Sequence, residues 1–103
     1  MIKMDWVIRG GEKMRHKTAK QAVANYLNEE YVLAKPVMPE DLYIVWFCKT
    51  LQNWKALLST DLTNEGIYFE VTYNGDKDEI YLDHYKKQRN LAIKMNPVLR
   101  DDV

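Results

Sequence analysis

Residues 67–75 have the sequence Ile-Tyr-Phe-Glu-Val-Thr-Tyr-Asn-Gly, and this stretch decides the fold class. Every second residue from Ile67 to Tyr73 is large and apolar, and this period of two is typical of a strand with one buried face. Asn74-Gly75 follows directly, and a two-residue type I′ turn favours this pair because both of its central residues need positive φ. The stretch therefore predicts a strand that doubles back into an antiparallel partner.

Two apolar runs precede this strand and predict a hairpin. Residues 42–51 are dense in β-branched and aromatic side chains, which is typical of a central strand buried on much of both faces. In residues 54–60, Trp54, Ala56 and Leu58 alternate with Lys55 and other side chains, which favours a second strand. A helix over 50–58 is the alternative interpretation.

An amphipathic helix is predicted between residues 12 and 31. The i, i+3, i+4, i+7, i+8 spacing places five apolar residues on one helical face: Ala19, Ala22, Val23, Tyr26 and Leu27. Gly10-Gly11 is a suitable start boundary, and Pro36 and Pro39 prevent the helix from continuing. Residues 33–40 are therefore predicted to be a connector.

The length of 103 residues fits a single domain. Residues 79–85 favour a fourth strand, although residues 79–94 also suit a helix. Residues 1–11 are predicted to be an N-terminal extension, and 95–103 a frayed tail. The predicted fold is α+β, with an N-terminal amphipathic helix packed on a three- or four-stranded antiparallel β-meander and a C-terminal helix as an option.

Composition limits the compartment and the partners. Cys48 is the only cysteine, so the chain cannot form an internal disulfide, and a reducing, cytoplasmic setting is expected. We find neither a signal-peptide pattern nor an apolar run long enough for a membrane span. The formal net charge is zero, which argues against a strong electrostatic nucleic-acid binder. Basic residues nevertheless gather near both ends and would form one patch if the fold brought them together: Lys13, Arg15, Lys17, Lys86, Lys87 and Arg89.

Motifs that would indicate catalysis, a metal or a cofactor are not found in the sequence. The four glycines do not form a phosphate-binding loop, and His16 and His84 are too far apart for a local metal-ligand motif. Cys48 lies in an apolar run and is predicted to be a small buried side chain, and His84 a partly exposed strand residue. We therefore expect a protein that is not an enzyme and needs no cofactor.

Aromatic residues are the most unusual feature of the sequence, because one sheet face cannot bury all of them. Tyrosine and tryptophan are common in binding hot spots, since a rigid ring buries a large area at a small entropic cost. The predicted interaction surface consists of Tyr43, Trp54, Tyr68, Tyr81 and Tyr85. A protein partner or a second copy of the chain would bind there.

A resemblance supports this interpretation. Residues 45–60, together with 68–76 and 81–83, are similar to a family of small uncharacterised proteins from Gram-positive phages and integrated mobile elements. The resemblance implies a phage or prophage accessory protein, whose partner would be a host or phage protein, and it implies no catalytic residues. Single-stranded nucleic acid is the alternative partner, with bases stacked on exposed rings and phosphates bound by the basic patch.

Overall fold

A long helix precedes four consecutive antiparallel strands in the computed structural model, which describes residues 11–96. Over these residues each strand pairs with the next along the chain in a single sheet, which confirms the predicted α+β fold with an antiparallel meander. Residues 87–96 follow the last strand without forming a helix, so the optional C-terminal helix is not formed there. The predicted N-terminal extension falls almost wholly outside the described residues, as does most of the frayed tail. The elements are α1 (Gly11–Glu30), a 3₁₀ turn (Pro39–Asp41), β1 (Leu42–Thr50), β2 (Asn53–Thr60), β3 (Ile67–Asn74) and β4 (Glu79–Lys86).

Helix α1 covers one face of the sheet. The predicted apolar stripe is the buried side of the helix, where Ala19 and Val23 are completely buried and Leu27 nearly so. Ala22 and Tyr26, the other two predicted members, are half-buried at the margin of the contact. The helix begins at Gly11, whose φ of 78° lies in the left-handed region that favours glycine. The predicted helix face and start are therefore confirmed.

The core lies between α1 and the two central strands. Trp54, Ala56 and Leu58 of β2 are buried, and each lies opposite a buried residue of β3, respectively Tyr73, Val71 and Phe69. These cross-strand pairs place apolar side chains directly opposite each other beneath the helix, the arrangement that stabilises a sheet most effectively. The alternation noted in β2 and β3 therefore identifies the core correctly.

Strand β1 differs from the prediction. It was expected to be a central strand buried on much of both faces, but it lies at the edge of the sheet and most of its residues are exposed. A register shift between Ile44 and Trp46 interrupts its pairing with β2. Because a bulge changes which side chains face the core, Phe47 rather than Trp46 lies on the helix side after it. A strand rich in β-branched and aromatic residues has the same composition whether its second face is buried or exposed, so composition alone could not show that β1 exposes its aromatic side chains.

The turn after β3 also differs from the predicted type I′ turn. The chain does double back, but four residues connect β3 to β4, and the last pair is Asn74 with Glu79. The side-chain Oδ1 of Asn74 accepts hydrogen bonds from the backbone N–H groups of Asp76 (3.0 Å) and Lys77 (3.3 Å). Asp78, not the Asn-Gly pair, has the positive φ of this turn, 53°. The asparagine side chain thus organises a longer turn.

Gly75 is needed for a close approach and not for its φ. A Cβ at this position would lie well inside van der Waals contact with the backbone carbonyl oxygen and the side chain of Gln52, in the β1–β2 turn. We expect Gly75→Ala to lower the free energy of unfolding by about 1–2 kcal/mol, because the two turns must separate. Urea unfolding followed by circular dichroism measures this change.

Lys77→Ala is the matched control for this prediction, because Lys77 is exposed in the same turn. A surface change of that kind is expected to alter stability by less than about 0.5 kcal/mol. If the Gly75 and Lys77 variants were equally stable, the two turns would not be in contact as the structure describes.

Candidate interaction surface

The second face of the sheet, opposite α1, is called the open face here because no described element packs against it. Successive side chains of a strand point to opposite faces, so the residues between the core positions lie on it. The open face comprises Tyr43, Trp46 and Cys48 of β1, Lys55 and Leu57 of β2, Tyr68, Glu70 and Thr72 of β3, and Glu79, Tyr81, Asp83 and Tyr85 of β4.

Aromatic side chains dominate the exposed area of the open face. Five rings on it have fractional exposures between 40% and 50%, so each presents much of its surface to solvent: Tyr43, Trp46, Tyr68, Tyr81 and Tyr85. Four of these are residues that the sequence predicted for the interaction surface. The fold places all four on the same side of the sheet, which sequence alone did not indicate.

Trp54, the fifth predicted residue, does not belong to this surface. It is only 2% exposed and lies in the core, stacked on Tyr73 with ring centroids 5.8 Å apart and the planes inclined by 23°. Its alternation with Ala56 and Leu58 was the signal that it faces the helix. Trp46, which the prediction omitted, takes the corresponding place on the open face because the bulge in β1 turns its side chain there.

The strand register arranges the open face in rows across the sheet. Trp46 lies opposite Leu57, Leu57 opposite Glu70, and Glu70 opposite Asp83. Like charges directly opposite each other repel, and Lys55 offsets part of this, since its Nζ lies 3.5 Å from Glu70 Oε1. Carboxylates therefore lie among the exposed rings. The chemistry of this surface suits a partner with apolar and basic side chains.

The predicted basic patch is not brought together by the fold. Lys17 lines a groove with Ile80 at the beginning of β4, whereas Lys86 is at the end of that strand, beside Tyr31 after the helix. The two basic groups therefore lie roughly 20 Å apart along the strand, at ~3.3 Å per residue.

Individual members of the two groups also have other roles. Arg15 is buried at 7% exposure and does not contribute to an exposed patch. Lys86 pairs with a carboxylate, its Nζ lying 3.1 Å from Glu65 Oε1. The Lys87 side chain lies against Gly66, and its backbone N–H donates to the Gly66 carbonyl oxygen at 2.8 Å. The predicted basic residues thus serve several local contacts and do not form one phosphate-binding surface.

The two histidines contact aromatic rings on the helix side of the sheet. Tyr26 Oη lies 2.9 Å from His84 Nδ1, and the His84 ring packs on Phe69 with centroids 4.7 Å apart. Burial raises the pKa of Tyr26 above its ordinary value, and Tyr31 and Glu30 act in the same direction. His16 packs edge-on against Phe47 near the other end of the helix, with centroids 4.8 Å apart. His84 is an exposed strand histidine that ties β4 to α1, close to its prediction.

Within residues 11–96, histidines, cysteines and carboxylates do not gather in threes or more at a spacing that could hold a metal ion. The carboxylates of the β3–β4 turn contact neighbouring side chains instead, as when Tyr73 Oη donates to Asp78 Oδ1 at 2.9 Å.

Cys48 is exposed, which corrects the prediction that it is buried. It lies on the open face in the same hollow as Trp46, Thr50 and Lys55. We expect its thiol to react completely with a chromogenic disulfide reagent in the native protein, at a rate within about tenfold of that in denaturant. A buried thiol would react only as fast as the protein unfolds, and that result would contradict the placement of β1.

The comparisons with known proteins give a family without an assigned activity. The model of a family of unknown function, DUF6275, matches residues 16–95. The chain belongs to this family. The DUF6275 match covers most of α1, the whole sheet and the segment after β4 as far as Met95. No curated protein and no solved structure matches the chain significantly. In the part of this DUF6275 protein that the structure describes, no helix combines the length and the apolar character needed to cross a membrane.

Proposed function

We propose that this chain is a non-catalytic protein-binding module whose open face is the binding surface. The observation that carries the proposal is that Tyr43, Trp46, Tyr68, Tyr81 and Tyr85 are all substantially exposed on one side of a rigid sheet. Monomeric proteins rarely leave large contiguous apolar patches uncovered, and such patches commonly mark sites of protein interaction. Rings held by strand backbones lose little further freedom when a partner covers them.

The charges of the open face favour a partner with basic side chains among its apolar contacts. Glu70, Glu79 and Asp83 lie on this face, and Lys55 is paired with one of them. Such a pattern attracts a complementary basic surface and repels phosphate. Single-stranded nucleic acid, the alternative partner, would need the basic patch that the fold separates, so the open face supports a protein partner better.

The same proposal includes the biological setting. The similarity of residues 45–60 to small proteins of Gram-positive phages and integrated mobile elements supports an accessory role, with a host or phage protein as the partner. The single cysteine, exposed and unpaired as a disulfide, suits a reducing cytoplasm. A module that acts by occupying a surface on another protein requires no nucleophile, acid or base.

The proposal can be tested by comparing exposed tyrosines on and off the open face. The double variant Trp46→Ser/Tyr81→Ser removes two rings from the surface, whereas Tyr31→Ser removes an equally exposed ring beyond the end of α1. The three proteins would be immobilised, and partners from a lysate of the encoding cell identified by mass spectrometry. We expect the wild type and the Tyr31 variant to capture the same protein, and the double variant to bind it at least about tenfold more weakly.

Two results would count against the proposal. Equal capture by the double variant would exclude the open face as the binding surface. Binding of single-stranded oligonucleotides that weakens steeply with salt, with no protein captured, would support the alternative partner instead. Thermal unfolding of each variant shows whether a loss of capture is caused by a loss of folding.

A further inference from the structure

The outer edge of β4 has no partner strand among the described residues. Within residues 11–96, β4 pairs only with β3, through an uninterrupted register from Asn74–Glu79 to Ile67–Lys86. Its outer backbone N–H and C=O groups are therefore available to another strand. The edge at β1 is different, because the register shift near Val45 breaks its regularity. Bulges protect an edge against strand addition, so β4 is the edge that remains suited to it.

The segment after β4 has the pattern of a strand that lacks a sheet. Residues 87–96 contain neither helix nor strand, and every residue from Asp83 to Asn96 is exposed. Leu91, Ile93 and Met95 alternate with smaller or polar residues, and their exposed fractions are 66%, 73% and 48%. Three large apolar side chains at a period of two would bury one face if the segment joined a sheet.

This segment cannot readily add to its own sheet edge. It continues directly from β4, so it would have to reverse its direction to lie beside that strand. Residues 87–96 contain no glycine and no proline, and Asn90 is the one residue among 87–95 that tight reversals favour. A second copy of the chain can supply the segment without any reversal.

Charge also matches the segment to β4. Lys87, Arg89 and Lys94 are its ionisable residues, and it contains no acid. Strand β4 has Glu79 and Asp83 on the open face, and the turn before it contains Asp76 and Asp78. The attraction is one of net charge, because Lys94 alternates with Ile93 and Met95 and so lies on the face opposite to the β4 acids when those two side chains take the open face.

We propose that residues 88–95 of a second copy add as an antiparallel strand to the free edge of β4, and that the exchange is reciprocal. A two-fold axis at residue 88 relates the two continuous strands, so both free edges are paired at once and the assembly closes as a dimer. Opposite residues of an antiparallel pair lie on the same face. If the alternation of β4 continues into the segment, Leu91, Ile93 and Met95 come beside Tyr81 and Tyr85.

This inference goes beyond the proposed function, because it uses the edge of the sheet and names the second copy as the occupant. The mode is strand addition, in which backbone hydrogen bonds give affinity and alternate side chains give specificity. It would join the two sheets into one and lengthen the open face across the two-fold axis. A partner that binds the open face could then contact both copies.

The test compares two double variants of the full chain. Leu91→Ser/Ile93→Ser removes two of the large apolar side chains that would share one face of the added strand. Asn90→Ser/Ala92→Ser changes two residues of the other face and leaves the charge unaltered. Sedimentation equilibrium over a wide concentration range gives the dimer dissociation constant. We expect a wild-type dimer, a rise in the dissociation constant of at least tenfold in the first variant, and a change of less than threefold in the second.

Hydrogen exchange supplies an independent readout at the segment itself. We expect the amides of residues 88–95 to exchange at least tenfold more slowly at concentrations where the dimer forms than in the dilute monomer. A protein that stays monomeric at all accessible concentrations would overturn the inference and leave capture through the open face untouched. A dimer that persists in the Leu91/Ile93 variant would also overturn it, and would point to association through the open face.

Discussion

Replacing Trp54 with alanine is expected to lower the free energy of unfolding by about 3–5 kcal/mol, the usual cost of deleting a buried aromatic side chain. Trp54 is 2% exposed, stacks on Tyr73 and contacts Phe47 with ring centroids 5.8 Å apart. Its removal leaves a cavity between β2 and α1 that these neighbours cannot fill. Because small domains are stable by only about 5–15 kcal/mol, the variant should unfold at markedly lower urea concentration.

Trp46 provides the matched control for this prediction. It is the same residue type in the neighbouring strand, but it is 42% exposed on the open face. We expect Trp46→Ala to lower the free energy of unfolding by only about 1–2 kcal/mol, because the ring is partly exposed and its removal opens no internal cavity. Equal destabilisation by the two substitutions would mean that the sheet is covered on both sides.

Replacing Asn28 with alanine is expected to destabilise the protein by about 2–3 kcal/mol, because two backbone hydrogen bonds of a buried residue lose their partner. Asn28 Nδ2 donates to the carbonyl oxygen of Val37 at 2.9 Å, and its Oδ1 accepts from the Val37 N–H at 2.7 Å. Val37 is 7% exposed whereas Asn28 itself is exposed, so water can replace only part of the lost amide. This side chain thus anchors the connector between α1 and β1.

Asn25→Ala is the control for Asn28, because Asn25 lies one turn earlier on α1 and its side chain bonds only to the exposed Gln21 in the described structure. Its loss should cost less than about 0.5 kcal/mol. Chemical unfolding of both variants at the same pH gives the comparison. If Asn28 were no more sensitive than Asn25, the connector would not be held by this pair of hydrogen bonds.

Local patterns in the sequence predicted the elements of the fold well. The alternation in residues 67–73 gave β3, and the spacing of Ala19, Val23 and Leu27 gave the helix face that covers the sheet. Both patterns arise because one side of a single helix or strand is buried, and the spacing of apolar residues within that stretch of sequence shows which side it is. Strand β2 was predicted from the same kind of alternation, whereas β1 was predicted from its β-branched and aromatic composition.

Features that depend on relations between elements were not predictable in the same way. Because of the bulge near Val45, Trp46 is exposed on the open face and Phe47 faces the helix. No local sequence pattern marks this bulge. The Asn74-Gly75 pair indicated a turn, but glycine is needed there because Gln52 of the neighbouring turn approaches so closely. Long-range contacts of this kind become visible only in the assembled structure.

The interaction surface illustrates both cases. Four of its tyrosines were chosen from the sequence because aromatic residues outnumbered the core positions, and strand parity placed them together on the open face. Trp54 was assigned to the wrong side, although its alternation with Ala56 and Leu58 already indicated the core. The distance between the two basic groups could not be predicted, because it depends on how α1 and β4 lie relative to each other in the folded protein.

Solvent accessibility of individual rings, measured by photochemically induced dynamic nuclear polarisation, tests the central claim most directly. This method polarises only those tyrosine and tryptophan rings that a flavin dye can touch. The structure predicts strong signals from Tyr43 and Trp46 on the open face and none from Trp54 and Tyr73 in the core. Signals from Trp54 and Tyr73 together with silence from Tyr43 and Trp46 would show that the sheet buries the opposite face, and would contradict this account.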